Sequence, residues 1–190
     1  MSNLTREDWL NNAVIELRPI FKSIGYPLPE LIRVTCGFPS RHARSLNKAT
    51  GEHWSAKASD DNTHEVCISP VLDEPLQVFG VLVHELAHCA TDGDGHKGRF
   101  PGCVKKLWLE GKPTATVVGQ RFTENFNGLV EGMGAYPHAR LNVNANKKTQ
   151  STRMLKAVCK ACGFTIRLSS KWADQGLPIC SNDNNVFTLS

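Results

Sequence analysis

The chain of 190 residues lacks any apolar run near the roughly 18 residues that a membrane-spanning helix needs. Its beginning, MSNLTREDWLNN, lacks the basic and then apolar layout of a secretory signal. Internal repeats and low-complexity tracts are also missing. These absences exclude integral membrane proteins and repeat architectures, and we expect a cytoplasmic protein without membrane contact.

Complete disulfide pairing within one chain is excluded, because the sequence contains seven cysteines. Four of them stand singly among apolar residues, which is typical of reduced, buried thiols. These four are Cys36, Cys67, Cys89 and Cys103. The other three, Cys159, Cys162 and Cys180, lie close together near the C-terminus and need a separate explanation.

Positive charge is scarce over most of the chain. Residues 1–138 contain 14 Lys and Arg against 16 Asp and Glu, a net charge of −2. Residues 139–190 contain 8 against 2, a net charge of +6. A polyanionic partner is therefore expected at the C-terminal segment.

Hydrophobic periodicity and turn residues predict helices over 5–24, 73–91, 97–110 and 120–131. Pro19 is expected to kink or end the first of these. Strands are predicted over 31–38 and 64–70, with a polar, basic loop at 40–53 between them. Residues 139–153 lack an apolar period and are typical of a linker. Short strands separated by turns are predicted in the last part, so we expect a domain at 1–138, a basic linker at 139–153 and a small module at 154–190.

The segment HELAHCATDGDGH at 84–96 contains the HExxH pattern within the helix predicted with most support. His84 and His88 are four residues apart, so they project from one helix face and can share a metal ion. Glu85 lies about 100° around the helix, beside the ion, where it can accept a proton from an attacking water. A chance HExxH somewhere in such a chain has a probability on the order of one in a hundred. The pattern therefore predicts a catalytic zinc site with Glu85 as its general base.

A catalytic zinc usually has three protein ligands. His96 is the best third candidate, because the glycines of TDGDG permit a sharp reversal of the chain. The metzincin spacing is excluded, since it requires Gly at 91 and His at 94, where this chain has Thr91 and Asp94. Rival ligands are Asp92, Asp94, Glu124 and Glu131.

HELAH followed by DGHKGRF resembles the SprT-like metallopeptidases, a family that includes the Spartan proteases acting on DNA–protein crosslinks. The resemblance extends through VTCGFPS, EVCISPVL, GKPTATVVGQRF and AYPHA into a C-terminal segment similar to a zinc ribbon. It is closest to versions found in phages and prophages, which implies the cytoplasm of a bacterial host. It implies an α+β fold: a compact zincin-like metallopeptidase core at 1–138, with helices on a small sheet and HExxH on the central helix, followed by a small β zinc-ribbon-like module at 154–190. It also implies zinc on His84, His88 and His96, with Glu85 as general base.

Cys159 and Cys162 form a CxxCG knuckle, a pattern common in one half of a zinc ribbon. The partner knuckle has Cys180 but places Asp183 where the family has its last cysteine. Three interpretations stay open: a structural zinc held by the three cysteines and Asp183, the same ion with another ligand or water, or a ribbon that has lost its metal. A tail of this size buries little core, so a cross-link is expected.

Basic residues surround these cysteines, and Trp172 lies among them. Basic side chains interleaved with an aromatic ring on a small β module are typical of a nucleic-acid surface. The predicted contacts are Arg153, Lys156, Lys160, Arg167 and Lys171. Tyr136 and His138 are weaker candidates for an oxyanion contact at the zinc site, and a packed turn explains them equally well.

The sequence thus favours a zinc-dependent endopeptidase whose basic tail binds DNA and whose substrates are DNA-bound or DNA-crosslinked proteins. The alternative is a nucleic-acid-binding adaptor in which the metal centre is structural or nearly inactive. Glu85 discriminates between the two, because a purely structural site needs no carboxylate beside its ligands.

Overall fold

The computed structural model describes residues 4–40, 49–143, 145 and 154–190. Contacts divide the chain into two units, Met1–Val143 and Asn144–Ser190. The start of the expected linker belongs to the first unit, because the Leu141 N–H donates to the Pro70 carbonyl and Arg140 pairs with Asp73. Helices and small sheets make up the fold, which is of the predicted α+β class. Within the described residues, no helix combines the length and apolar character that crossing a bilayer requires.

The first unit contains four helices, one 3₁₀ turn and five strands in its described part. In chain order they are α1 (Arg6–Ser23), β1 (Ile32–Cys36), β2 (Gly51–Trp54), the 3₁₀ turn (Ala56–Ala58), β3 (His64–Ile68), α2 (Pro75–Ala90), α3 (Phe100–Lys106), β4 (Leu109–Lys112), β5 (Ala115–Val118) and α4 (Gln120–Met133).

A three-stranded sheet has the order β1-β3-β2, with β1 parallel and β2 antiparallel to β3. Strands β4 and β5 form a separate antiparallel hairpin. Helix α2 contacts β2, β3, β5 and the other three helices of this unit. It is therefore the central element, and the residues on its different faces meet almost every other part of the unit.

Helix α1 begins as predicted. The Thr5 side chain accepts from the Asp8 N–H, and the Asp8 carboxylate accepts from the Thr5 N–H, which completes a capping box. The helix continues through Pro19 to Ser23, so of the two expected effects Pro19 does not end the helix. Leu17 and Phe21 are fully buried on either side of the proline, and their packing outweighs the single backbone hydrogen bond that proline removes.

Helix α2 matches the strongest helix prediction. Pro75 occupies its first turn, and the Glu74 side chain accepts from the N–H groups of Leu76 and Gln77. Its apolar face, which includes the fully buried Phe79, forms the middle of the core. Burial of such a stripe stabilises the helix more than intrinsic propensity does.

Two segments differ from expectation. Residues 51–53, the end of the predicted loop, belong to the edge strand β2, and residues 41–48 of that loop lie outside the described residues. The helix predicted over 97–110 is shorter, because Trp108 has a positive φ of 58° and the chain turns there into β4. Strands β2 and β4 are each four residues long without a clear alternation of burial. Pairing with a neighbouring strand therefore stabilises them more than their own sequence pattern does.

The second unit contains β6 (Leu155–Val158), β7 (Thr165–Leu168), the short helix α5 (Ser170–Ala173) and β8 (Thr188–Leu189). The strands form an antiparallel sheet in the order β7-β6-β8 and fall within the three predicted tail segments. A small buried cluster holds the sheet together: Ala157, Cys159, Cys180 and Phe187.

Candidate metal centre

Helix α2 brings His84 and His88 to one face, as the four-residue spacing requires. Their ring centroids lie 5.1 Å apart. After the helix ends at Ala90, the chain turns through Gly93 and Gly95, whose φ values of 91° and 56° fall in the left-handed region. This reversal returns His96 to the two helical histidines.

The three imidazoles form a set that can hold one metal ion, because their ligand nitrogens all lie within 4.8 Å of one another. The Nε2 atoms of His88 and His96 are 3.3 Å apart. Two nitrogens bound tetrahedrally to zinc at roughly 2.0–2.1 Å are themselves about 3.3–3.4 Å apart. The spacing therefore fits a shared zinc ion.

The electrostatic environment keeps the helical histidines neutral. Burial, with a contribution from His96, lowers the pKa of His84 to about 4. Burial, with contributions from neighbouring histidines, lowers the pKa of His88 to about 3. Both rings therefore offer a lone pair at neutral pH, which is the state that binds a metal.

Thr116 on β5 orients His84, since its Oγ1 lies 2.7 Å from His84 Nδ1. When Nδ1 carries the proton and donates to this hydroxyl, Nε2 is left as the metal-binding atom. The fully buried Phe100 ring packs against the histidine rings. Its centroid lies 4.1 Å from that of His88 and 5.1 Å from that of His84. Sequence analysis missed Thr116, because nothing in the local sequence pairs it with a residue 32 positions away.

Glu85 is buried, with 6% of its surface exposed, and it borders the same cavity as the histidines. Burial, and secondarily the charge of Glu52, raises its pKa to about 8. A Cβ atom at Gly51 on β2 would lie 2.5 Å from Glu85 Oε1, so the glycine leaves the space that this carboxyl occupies. A carboxyl whose pKa lies near neutrality is suited to accept and return a proton.

The rival ligands have other partners. The Asp92 carboxylate accepts from the Ser55 hydroxyl, and the Asp94 carboxylate accepts from the Arg99 N–H within the turn. Glu124 and Glu131 accept from Gln120 and Asn127 on α4. Among the described residues, only His96 joins His84 and His88 in a potential metal-binding group.

A cavity of about 930 Å³ surrounds the three histidines. Strand β2 borders it on one side and the β4–β5 hairpin on another. His53 on β2 also faces it, with its ring parallel to that of His88 and the centroids 6.0 Å apart. Burial lowers the pKa of His53 to about 4. The cavity is large enough for several residues of an extended peptide.

Tyr136 and His138 do not border this cavity within the described part of the chain. The Tyr136 ring packs edge-on against Trp9, with the centroids 5.2 Å apart. His138 Nε2 donates to the Pro70 carbonyl at 2.8 Å. Both residues therefore pack against the rest of the first unit, in agreement with the packed-turn interpretation.

The second unit brings together the four predicted ligands of its own metal site. The ligand atoms of Cys159, Cys162, Cys180 and Asp183 all lie within 4.8 Å of one another. The Cys159 thiol donates to the Asp183 carboxylate at 3.1 Å, and the sulfurs of Cys162 and Cys180 are 3.5 Å apart. Backbone and thiol hydrogen bonds lower the pKa of Asp183 to about 2, so this oxygen ligand is ionised at neutral pH.

The two halves of this site repeat one backbone pattern. In the first, the Cys159 carbonyl accepts from Gly163, and the Cys159 N–H donates to Phe164. In the second, the Cys180 carbonyl accepts from Asn184, and the Cys180 N–H donates to Asn185. Gly163 and Asn184 both have a positive φ, at 76° and 59°. Asp183 therefore occupies the same position in the second knuckle as Cys162 in the first.

The predicted nucleic-acid contacts that are described are all exposed. They are Lys156, Lys160, Arg167 and Lys171, whereas Arg153 lies outside the described residues. Lys156 and Arg167 are directly paired across β6 and β7. Trp172 is 59% exposed, and the Lys171 ammonium lies 5.5 Å from its ring centroid. Within the described part of the chain, none of these four side chains forms an ion pair.

Comparison of the chain with protein-family models, curated proteins and solved structures finds no match. The side chains described above therefore carry the functional inference.

We expect His96→Ala to remove the ion from the first unit, because two imidazoles hold zinc far less tightly than three ligands. Elemental analysis of the dialysed full-length protein should show one zinc fewer per chain. The matched control is Asp92→Asn, which alters a rival ligand and should retain the ion. Loss of zinc from the control and not from His96→Ala would identify Asp92 as the ligand.

We expect Thr116→Val to weaken zinc binding at His84 by roughly 10-fold, the lower end for loss of a group that orients a metal ligand. Valine keeps the shape of threonine but cannot accept from Nδ1–H. The dissociation constant of zinc, measured by competition with a chelator, should rise accordingly. Thr114→Val, on the same hairpin, is the control, and an equal rise in both variants would contradict the orienting role.

Proposed function

We propose that the chain is a zinc-dependent endopeptidase of the SprT-like type that cleaves DNA-associated proteins, including proteins crosslinked to DNA. One observation carries the proposal: the buried carboxyl of Glu85 borders the same cavity as three histidines whose ligand atoms lie within 4.8 Å of one another. A binding site for a purely structural metal has no use for this carboxyl. We also propose that residues 1–138 form the zincin-like core that the motifs imply.

His84, His88 and His96 would hold the ion and leave one position open to the cavity. Zinc, when bound there, lowers the pKa of a coordinated water to roughly 7 and polarises a carbonyl. Thr116 keeps the His84 ring in the orientation that ligation needs. Phe100 excludes water from the other side of the histidines by packing on their rings.

Glu85 would move the proton. Its carboxylate takes a proton from the attacking water as the new carbon–oxygen bond forms at the scissile carbonyl. It then delivers that proton to the amine nitrogen as the carbon–nitrogen bond breaks, which completes hydrolysis. Burial raises the pKa of this carboxyl in the metal-free site, and the charge of a bound zinc ion would lower it again, so that the ionised base is available at neutral pH.

The substrate would bind in an extended conformation. Strand β2 lies at the edge of the sheet that the described residues form, and it borders the cavity. An extended peptide can add to such an edge by main-chain hydrogen bonds. Recognition by backbone groups is largely independent of sequence, which suits a protease that acts on unfolded segments of many proteins.

The second unit would be a zinc-ribbon-like module that binds DNA. Asp183 replaces a cysteine at an equivalent knuckle position, and an ionised carboxylate is an accepted zinc ligand. Exposed Arg167 and Trp172 border a shallow groove that also includes Met154. An exposed indole beside cationic side chains can stack on an unpaired base while the cations contact phosphates.

The proposal is tested with purified, zinc-loaded protein and a basic DNA-binding protein as substrate. We expect cleavage that requires zinc, stops on chelation, returns when zinc is restored, and is faster when DNA holds enzyme and substrate together. The same substrate without DNA is the control. A folded protein with full zinc occupancy that cleaves neither form would support the adaptor alternative.

A further inference from the structure

A second cluster of metal-ligating side chains lies beside the proposed catalytic centre. It consists of His53, His64 and Cys89, whose ligand atoms all lie within 4.8 Å of one another. Each comes from a different element, namely β2, β3 and α2. None of the three is needed for the proposed proteolytic mechanism, so their convergence requires its own explanation.

We propose that His53, His64 and Cys89 bind a second zinc ion in the first unit, distinct from the ion on His84, His88 and His96. His53 Nε2 lies 2.9 Å from His64 Nδ1, and the rings are within 17° of parallel. The two nitrogens share one proton in this hydrogen bond, and a zinc ion could replace that proton between them. Separating the nitrogens to the about 3.3 Å of a tetrahedral zinc site needs only small side-chain rotations.

The donor set is appropriate for zinc. Two imidazole nitrogens and one cysteine sulfur, whose proton the ion would displace on binding, are ligands of intermediate and soft character, which zinc prefers over magnesium or calcium. Cys89 is 4% exposed and His64 is 6% exposed, so two of the three ligands are shielded from solvent. Closed sites are typical of structural zinc.

A bound ion would connect the edge strand β2 to β3 and to the helix that carries the catalytic residues. β2 contributes Gly51, which faces Glu85, and His53, whose ring is parallel to that of His88 at 6.0 Å. The ion would therefore hold one wall of the cavity against the active-site helix. A ligand that binds the folded state alone also raises stability in proportion to the logarithm of its concentration.

The experiment uses the full chain, saturated with zinc alone and then dialysed. Cys89→Ala is expected to contain one zinc fewer per chain than the wild type and to lose most of the increase in melting temperature that added zinc produces. Cys103→Ala is the matched control, because Cys103 is also a buried helical thiol but belongs to no ligand cluster that the described residues form. It should retain the wild-type zinc content.

Two further variants separate this site from its neighbour. His64→Asn keeps an acceptor for the His53 hydrogen bond but is a poor zinc ligand, and it should lose the same ion as Cys89→Ala. Combining Cys89→Ala with His96→Ala should remove two ions, one from each cluster. A Cys89→Ala protein with wild-type zinc content, or a double variant that loses one ion only, would overturn the proposal. If Cys89→Ala fails to fold, His64→Asn gives the same decision.

Discussion

Replacing Glu85 with glutamine is expected to reduce proteolysis at least ~10²-fold, while zinc content and the fold are retained. Glutamine has nearly the size of glutamate, so it fits the space beside Gly51. It cannot take up the proton that water must release during attack. Turnover on a DNA-bound protein, zinc analysis and circular dichroism of the same preparation measure the three quantities.

Glu124→Gln is the matched control, because it removes an exposed carboxylate from α4 without touching the cavity. It should leave turnover unchanged. Undiminished proteolysis by the Glu85 variant would remove the general-base assignment while leaving the metal site intact. Loss of zinc together with activity would instead mean that Glu85 supports the ligand set.

Replacing Lys156, Lys160 and Arg167 with glutamate is expected to cause a large loss of DNA affinity. The loss should be about equal for every DNA sequence. Phosphate contacts carry no base information, so the loss should not depend on the oligonucleotide chosen. If about four basic side chains contact phosphates, log K of the wild type should fall with log salt at a slope of roughly −3 to −4. Fluorescence anisotropy across a salt series measures both quantities.

The control reverses three exposed basic residues of the first unit, Lys22, Lys112 and Arg121. The net charge of the protein changes by the same amount, but the first 138 residues already have a net charge of −2, so their contribution to phosphate binding is small. Cleavage of a free, unfolded protein should survive the reversal in the second unit. DNA binding that is independent of salt, or equally weakened by the control, would show that the surface is elsewhere.

Features that depend on neighbours along the chain could be predicted from the sequence. The capping box of α1 and the extent of α2 follow from side chains three and four residues apart. The common face of His84 and His88 follows from the helical repeat in the same way. The first cysteine knuckle is also local, since Cys159 and Cys162 are joined by one tight turn.

Two strands that depend mainly on pairing across the chain were missed. Strands β2 and β4 have weak local patterns, and their partners β3 and β5 stabilise them by hydrogen bonds that no local sequence specifies. Helix α1 continues through Pro19, because buried neighbours hold the helix together despite a locally unfavourable residue.

The sequence by itself therefore determined which segment carries His84, Glu85 and His88, because helical spacing is a property of the backbone. Only the tertiary structure decided which distant groups surround them. Thr116 reaches His84 from a hairpin, and His53, His64 and Cys89 converge from three elements. The physical reason is that burial of apolar surface brings these elements together, and that driving force is non-directional and unrelated to the polar side chains it places side by side.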